Sequence, residues 1–139
     1  MSTTETTVAV GDRCAAREFG PLTRTDFVKY QGASGDFHPL HHDDTFAHAA
    51  GFPSVFSVGM LQAGLLATYV TDWLGVEGIR RFKVRFVEQM WPGDELTCTA
   101  KIVEVDETRG RIRLELRADR QTGNPALVGE AEFITAAAP

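Results

Sequence analysis

Residues Gly59–Leu74 constrain the fold most. Met60, Leu61, Gly64, Leu65, Ala67, Tyr69, Val70, Trp73 and Leu74 leave this stretch little polar surface. At helical spacing, a segment apolar nearly all round has to be covered by other structure. Gly75 follows, a residue favoured just past a helix end. The longest apolar run, residues 58–70, is interrupted by Gln62 and falls short of the ~20 residues that span a bilayer. A buried helix is therefore expected, with no membrane partner.

Segments that alternate every second residue follow this helix, as strands with one buried face do. Over 79–87, Phe82, Val84 and Phe86 alternate with Arg81, Lys83 and Arg85. Over 95–101, Leu96, Cys98 and Ala100 face one way. Ile112, Leu114 and Leu116 do so over 111–117, and Leu127, Ala131 and Phe133 over 127–133. Pro92-Gly93-Asp94, Thr108-Arg109-Gly110 and Thr122-Gly123-Asn124-Pro125 read as the turns between them. The pattern predicts an α+β domain: an antiparallel meander with the long helix across its concave face. With 139 residues and no linker, repeat or low-complexity tract, one domain over 1–139 is expected.

Upstream, Thr23 and Asp26 make a capping-box-like pair that starts a helix over 23–30, which runs into Gly32 and a loop. Pro39 keeps 36–41 from forming a regular helix. A short helix is expected over 43–50, closed by Gly51. Residues 1–7 are polar and Thr-rich, without the basic and apolar regions of a secretory signal. The first few residues and 136–139 read as loose ends. A net charge of −5 argues against a nucleic-acid partner. Cys14 and Cys98 show no CxxC spacing and are expected to be reduced, in a cytoplasmic protein.

The stretch richest in chemistry is Tyr30-Gln31-Gly32-Ala33-Ser34-Gly35-Asp36-Phe37-His38-Pro39-Leu40-His41-His42-Asp43. Histidine moves protons near neutral pH, and a nearby carboxylate can orient it or share the work. An irregular loop around Pro39 could aim Asp36 and His41 at one water molecule. From the residues alone a solvated loop competes with that reading. A metal site is a third possibility, since His38, His41, His42, Asp43, Asp44 and His48 are potential ligands. Their spacing matches neither HExxH nor a zinc finger, so no metal is expected.

This stretch resembles the signature of the MaoC-like dehydratase family, which includes (R)-specific enoyl-CoA hydratases and hydroxyacyl-ACP dehydratases. The family pattern is approximately Ser-Gly-Asp-x-Asn-Pro-x-His-x-Asp, then Gly-Phe, then His-Gly-Met. Here the matching residues are Ser34-Gly35-Asp36, Pro39, His41, Asp43, Gly51-Phe52 and Gly59-Met60. Val84-Arg85-Phe86 and Pro92-Gly93-Asp94 look like the family's central strand and the turn after it. The resemblance implies a hot-dog fold, with two such units paired into a homodimer or larger homo-oligomer. It implies reversible hydration of a trans-2-enoyl thioester to an (R)-3-hydroxyacyl thioester, with Asp36 and His41 as the catalytic pair.

The thioester oxygen gains negative charge in that reaction. The start of the long helix at Gly59 would meet it with backbone N–H groups and the positive end of the dipole. Gly59 is otherwise a tight turn. Ser34 and His38 are the further residues expected near substrate. No cofactor is expected beyond coenzyme A or phosphopantetheine as the acyl carrier, so the partner would be an acyl-CoA or an acyl carrier protein. Lys83, Arg85 and Arg81 could attract the carrier's negative charge, or form a solvated strand face. Phe37, Phe52, Phe56 and Trp91 could line an acyl tunnel, or be core.

Two positions depart from the family. The motif's Asn is His38, and the His before Gly-Met is Val58, which has no polar group. Two alternatives therefore stand beside hydration: a thioesterase on the same fold, and a subunit that works only within a heteromeric dehydratase.

Overall fold

A computed structural model describes residues 7–135. Residues 1–6 and 136–139, which include most of the expected loose ends, lie outside the described residues.

The order of elements is β1 (Arg17–Phe19), α1 (Arg24–Ser34), α2 (Asp44–Ala49), α3 (Gly59–Leu74), β2 (Ile79–Phe86), β3 (Leu96–Asp106), β4 (Arg111–Arg120) and β5 (Pro125–Ile134). The strands form one antiparallel sheet in the order β1-β3-β4-β5-β2. The expected α+β layering is present, and α3 occupies the predicted residues. No described helix is long and apolar enough to cross a membrane.

The inward residues follow from the alternation. Leu96, Cys98, Ala100 and Ile102 of β3 are buried with Ile112, Leu114, Leu116 and Ala118 of β4. Leu127, Ala131 and Phe133 of β5 join them, and α3 adds Ala63, Leu66, Tyr69 and Val70. Each fully buried Leu or Phe contributes about 2 kcal/mol of transfer free energy. Phe27 of α1 is fully buried in the same cluster. Tyr69 Oη donates to the carbonyls of Ala15 at 3.0 Å and Cys14 at 3.3 Å, which ties the segment before β1 to α3. Both cysteines are free, and Cys98 is buried.

Four expectations need correction. The strands after α3 are not a simple meander. β3, β4 and β5 are, but β2 pairs with β5 (Phe82 opposite Ala131) and lies at the edge away from β3. Alternation sets which face a residue takes and carries no information on which strand lies beside it. β1 was not anticipated: three residues, two of them charged, show no periodicity, and the backbone ladder to β3 makes the strand. α1 continues through Gly32 to Ser34 and ends at Gly35, whose φ of 78° suits a glycine. Finally, α3 is covered on one side only. Met60, Gly64, Thr68 and Asp72, at i,i+4 spacing, stay exposed because a single sheet meets one side of a helix.

The capping box at the start of α1 is present as read: Asp26 N–H donates to Thr23 Oγ1 at 3.2 Å, and Thr23 N–H to Asp26 Oδ2 at 2.8 Å. The Asp43 side chain accepts from Phe46 N–H at 3.2 Å and caps α2.

Candidate active site

The loop after α1 is organised by its own polar groups. Asp36 N–H donates to Ser34 Oγ at 3.2 Å, and the Asp36 carboxylate accepts from His38 N–H at 3.2 Å. His38 Nδ1 accepts from Leu40 N–H and caps a short 3-10 turn, Pro39–His41, in which proline takes the first position. Gln31, buried on α1, holds this loop from behind. Its Nε2 donates to the His38 carbonyl at 3.0 Å, and its Oε1 lies 3.0 Å from His42 Nδ1.

His41 Nδ1 lies 2.8 Å from the Phe56 carbonyl oxygen. A carbonyl can only accept, so Nδ1 carries the proton and a neutral ring keeps its lone pair on Nε2. The segment bearing Phe56 is held on both sides: Phe56 N–H donates to the Leu40 carbonyl at 3.3 Å, and Ser57 N–H to the Met90 carbonyl at 2.8 Å. Two residues later α3 begins at Gly59. Val58, at its N-cap, makes no side-chain capping bond, so the helix's first N–H groups are left open.

These pieces meet in a cavity of about 240 Å³ lined by His41, Phe56, Ser57, Gly59, Gln62, Phe86, Val87, Glu88 and Gln89. A Cβ at Gly59 would come within 3.0 Å of Phe86 Cε1, so glycine keeps the helix tip close to that ring. The Phe56 ring meets His41 edge to face and also packs against Phe52 in a tilted pair and Trp91 edge to face, with centroids 4.9 and 5.8 Å away. Glu88 on the wall is bound by Arg120 at 3.0 Å, and Arg120 by the buried Asp94 at 2.9 Å. Burial would raise the Asp94 carboxyl, but the Trp91 N–H, the Gln121 amide and the Arg120 guanidinium together hold it below the usual carboxylate range.

The MaoC like domain family matches residues 5–124. This chain belongs to the MaoC-like family. Among its relatives, the (R)-specific enoyl-CoA hydratase of Aeromonas caviae is 30% identical over 108 residues, 76% of this chain and 81% of that protein. The fatty acid synthase beta subunit TOXC of Cochliobolus carbonum is 34% identical over 109 residues, 75% of this chain; the match spans only 5% of that much longer protein. The solved (R)-hydratase from A. caviae involved in PHA biosynthesis matches with a TM-score of 0.84 at 25% identity, over 94% of this chain and 98% of that one. The fold is the hot dog that this MaoC-like family shares.

The MaoC-like chain brings His41 and Gly59 to one cavity. Ser34, the exposed last residue of α1, and Asp36 and His38 on the exposed loop after it are not part of its lining; the His38 ring is 6.1 Å from that of His41. Phe37 is 64% exposed and joins neither cavity nor core; of the other three aromatics Phe56 lines the cavity, and Phe52 and Trp91 pack against its ring. Lys83 and Arg85 sit elsewhere. They point to the sheet face opposite α3 and line a shallow groove of about 650 Å³ with Arg13, Lys101, Arg113 and Arg117. Arg81, on the same strand, is 4.0 Å from Glu130.

Among the described residues no group of three or more His, Cys, Asp or Glu is placed to hold a metal ion. The sequence assigns no role to Gln31, Ser57, Gln62 or Glu88. Gln31 falls within the chemical stretch, and Gln62 is the polar residue interrupting an apolar run.

Proposed function

We propose that the chain catalyses the reversible hydration of a trans-2-enoyl thioester to a 3-hydroxyacyl thioester, with R stereochemistry by likeness to the Aeromonas relative. The observation that carries this reading is the His41 Nδ1 contact to the Phe56 carbonyl, which leaves Nε2 as a base on the wall of a cavity that also holds the open end of a helix.

In the forward direction His41 Nε2 takes a proton from water as its oxygen bonds to C3. The electron pair of the C2–C3 double bond moves toward the thioester, and its oxygen becomes negative. The Gly59 N–H and the positive end of the α3 dipole stabilise that charge. A proton then goes to C2, so water is added across the bond. Asp36, exposed on the loop that leads to His41, takes its part by likeness to the family motif, holding the attacking water and delivering the proton to C2. Ser34 and His38 set the Asp36 loop through the hydrogen bonds already described.

The acyl group arrives on phosphopantetheine, of coenzyme A or of a carrier protein. The basic groove bearing Lys83 and Arg85 shares no lining residue with the cavity, which suits attraction of the carrier's negative charge rather than chemistry. The working assembly is a homodimer. β2 is an edge strand, and an open edge invites pairing with a second copy. Phe86 and Val87 at its end are 49% and 44% exposed beside the cavity.

Crotonyl-CoA tests the reading. Loss of the enoyl absorbance without free thiol is hydration. Release of free thiol would mean a thioesterase instead. Neither signal from the chain alone would point to the partner-dependent subunit and reject independent activity.

A further inference from the structure

Gln62 is 2% exposed, yet it lines the cavity with His41 and Gly59. Its Oε1 accepts a hydrogen bond from Ser57 Oγ at 2.6 Å. Its Nε2 has no hydrogen-bond partner among the described residues, which is unusual for a buried amide. No described buried side-chain nitrogen or oxygen is both sealed off and unpaired. Nε2 therefore keeps an opening, and the space beside it is the cavity.

The position follows from helix geometry. Side chains on a helix lean toward its N-terminus, so a residue one turn into α3 reaches back to the level of the first N–H groups. The bond to Ser57, which precedes the helix, holds the amide there. Ser57 Oγ donates to Oε1 and also lies 3.3 Å from the Val58 carbonyl, its other acceptor. With Oε1 occupied by the Ser57 hydroxyl, the group presented to the cavity is the N–H₂ donor. Phe56, Phe86 and Val87 surround the space with apolar surface, in which a directed donor acts more strongly than in water. Val58 offers no side-chain donor at this helix tip.

We propose that Gln62 Nε2 is a second donor to the thioester oxygen beside the Gly59 N–H, with Ser57 as the residue that positions it. This rests on the hydration reading above. Gln62 is then a catalytic residue, contributing to the charged transition state more than to ground-state binding.

The test uses Gln62→Met, which keeps the volume and removes the donor, and Ser57→Ala, which frees the amide. Steady-state kinetics on crotonyl-CoA are read together with the red shift of a dienoyl-CoA bound in a His41→Ala background, a shift that reports polarisation of the thioester carbonyl. Loss of one such donor lowers kcat by roughly 10²- to 10³-fold. Gln62→Met should show this loss with KM changed only a few-fold, and should lose most of the red shift. Ser57→Ala should show a smaller fall in kcat and a reduced shift. If Gln62→Met does not fold, Ser57→Ala carries the test alone. Wild-type kcat, or a fall in kcat with the full red shift retained, overturns the role of Gln62. Absence of turnover in the wild-type chain counts instead against hydration itself.

Discussion

His41 and Phe56, far apart in the chain, are joined by a 2.8 Å contact between an imidazole Nδ1 and a backbone carbonyl. The same Phe56 donates its N–H to Leu40, next to His41, so the histidine and its orienting carbonyl move as one unit. The ring tautomer is thereby set by the main chain. A side-chain substitution at Phe56 can move the ring but cannot remove that acceptor.

His41→Ala is expected to lower kcat by about 10³-fold, within the range of general acid–base catalysis, while leaving thermal stability close to wild type. Asp36→Asn should lower kcat to a similar extent. Steady-state rates with crotonyl-CoA, alongside a melting curve for each variant, check both. Wild-type turnover in either variant would remove that residue from the chemistry.

Gly59→Ala separates helix stability from access. Alanine suits the first turn of a helix, but its Cβ would press on the Phe86 ring. Because Phe86 is half exposed, the ring can yield into the cavity it lines. The expected result is a fall in kcat/KM of at least about tenfold, about 1.4 kcal/mol, with an unchanged Tm.

Asp94 links pH to stability. Its carboxyl is held below the ordinary range in the folded chain by Trp91, Gln121 and Arg120, against the opposing effect of burial. The stabilisation is therefore complete above the unfolded carboxyl's pKa and is lost as pH falls through the folded one. Asp94→Asn should cost about 3 kcal/mol near neutrality, because Arg120 is left without its closest partner. In urea titrations from neutral pH downward, the gap between wild type and variant should narrow through the carboxylate range. A gap that stays constant would contradict this account.

The thiols offer a check on the core. Burial pushes the Cys98 thiol up to about 12, whereas Cys14 is only partly covered. A disulfide reagent at mildly alkaline pH should modify Cys14 in the folded protein and Cys98 only after denaturant is added. Equal reactivity of both in the native state would mean that β3 does not pack as described.

Local pattern made much of this protein legible. The residues of α3, the inward-facing sets on the strands and the Thr23–Asp26 capping box all depend on neighbours a few positions away, and the sequence carries them directly. The Asp36–His41 loop was legible in another way: its composition left a solvated loop and a chemical one open, and its resemblance to the family motif singled it out. Tertiary structure decided the rest. It set β2 beside β5 instead of β3, made a strand of Arg17–Phe19, and turned Lys83 and Arg85 to the face opposite α3. It also brought Phe56 to His41 and Ser57 to Gln62. Periodicity assigns a side chain to a face; it is chain closure, and the need of each buried polar group for a partner, that determines what that face meets.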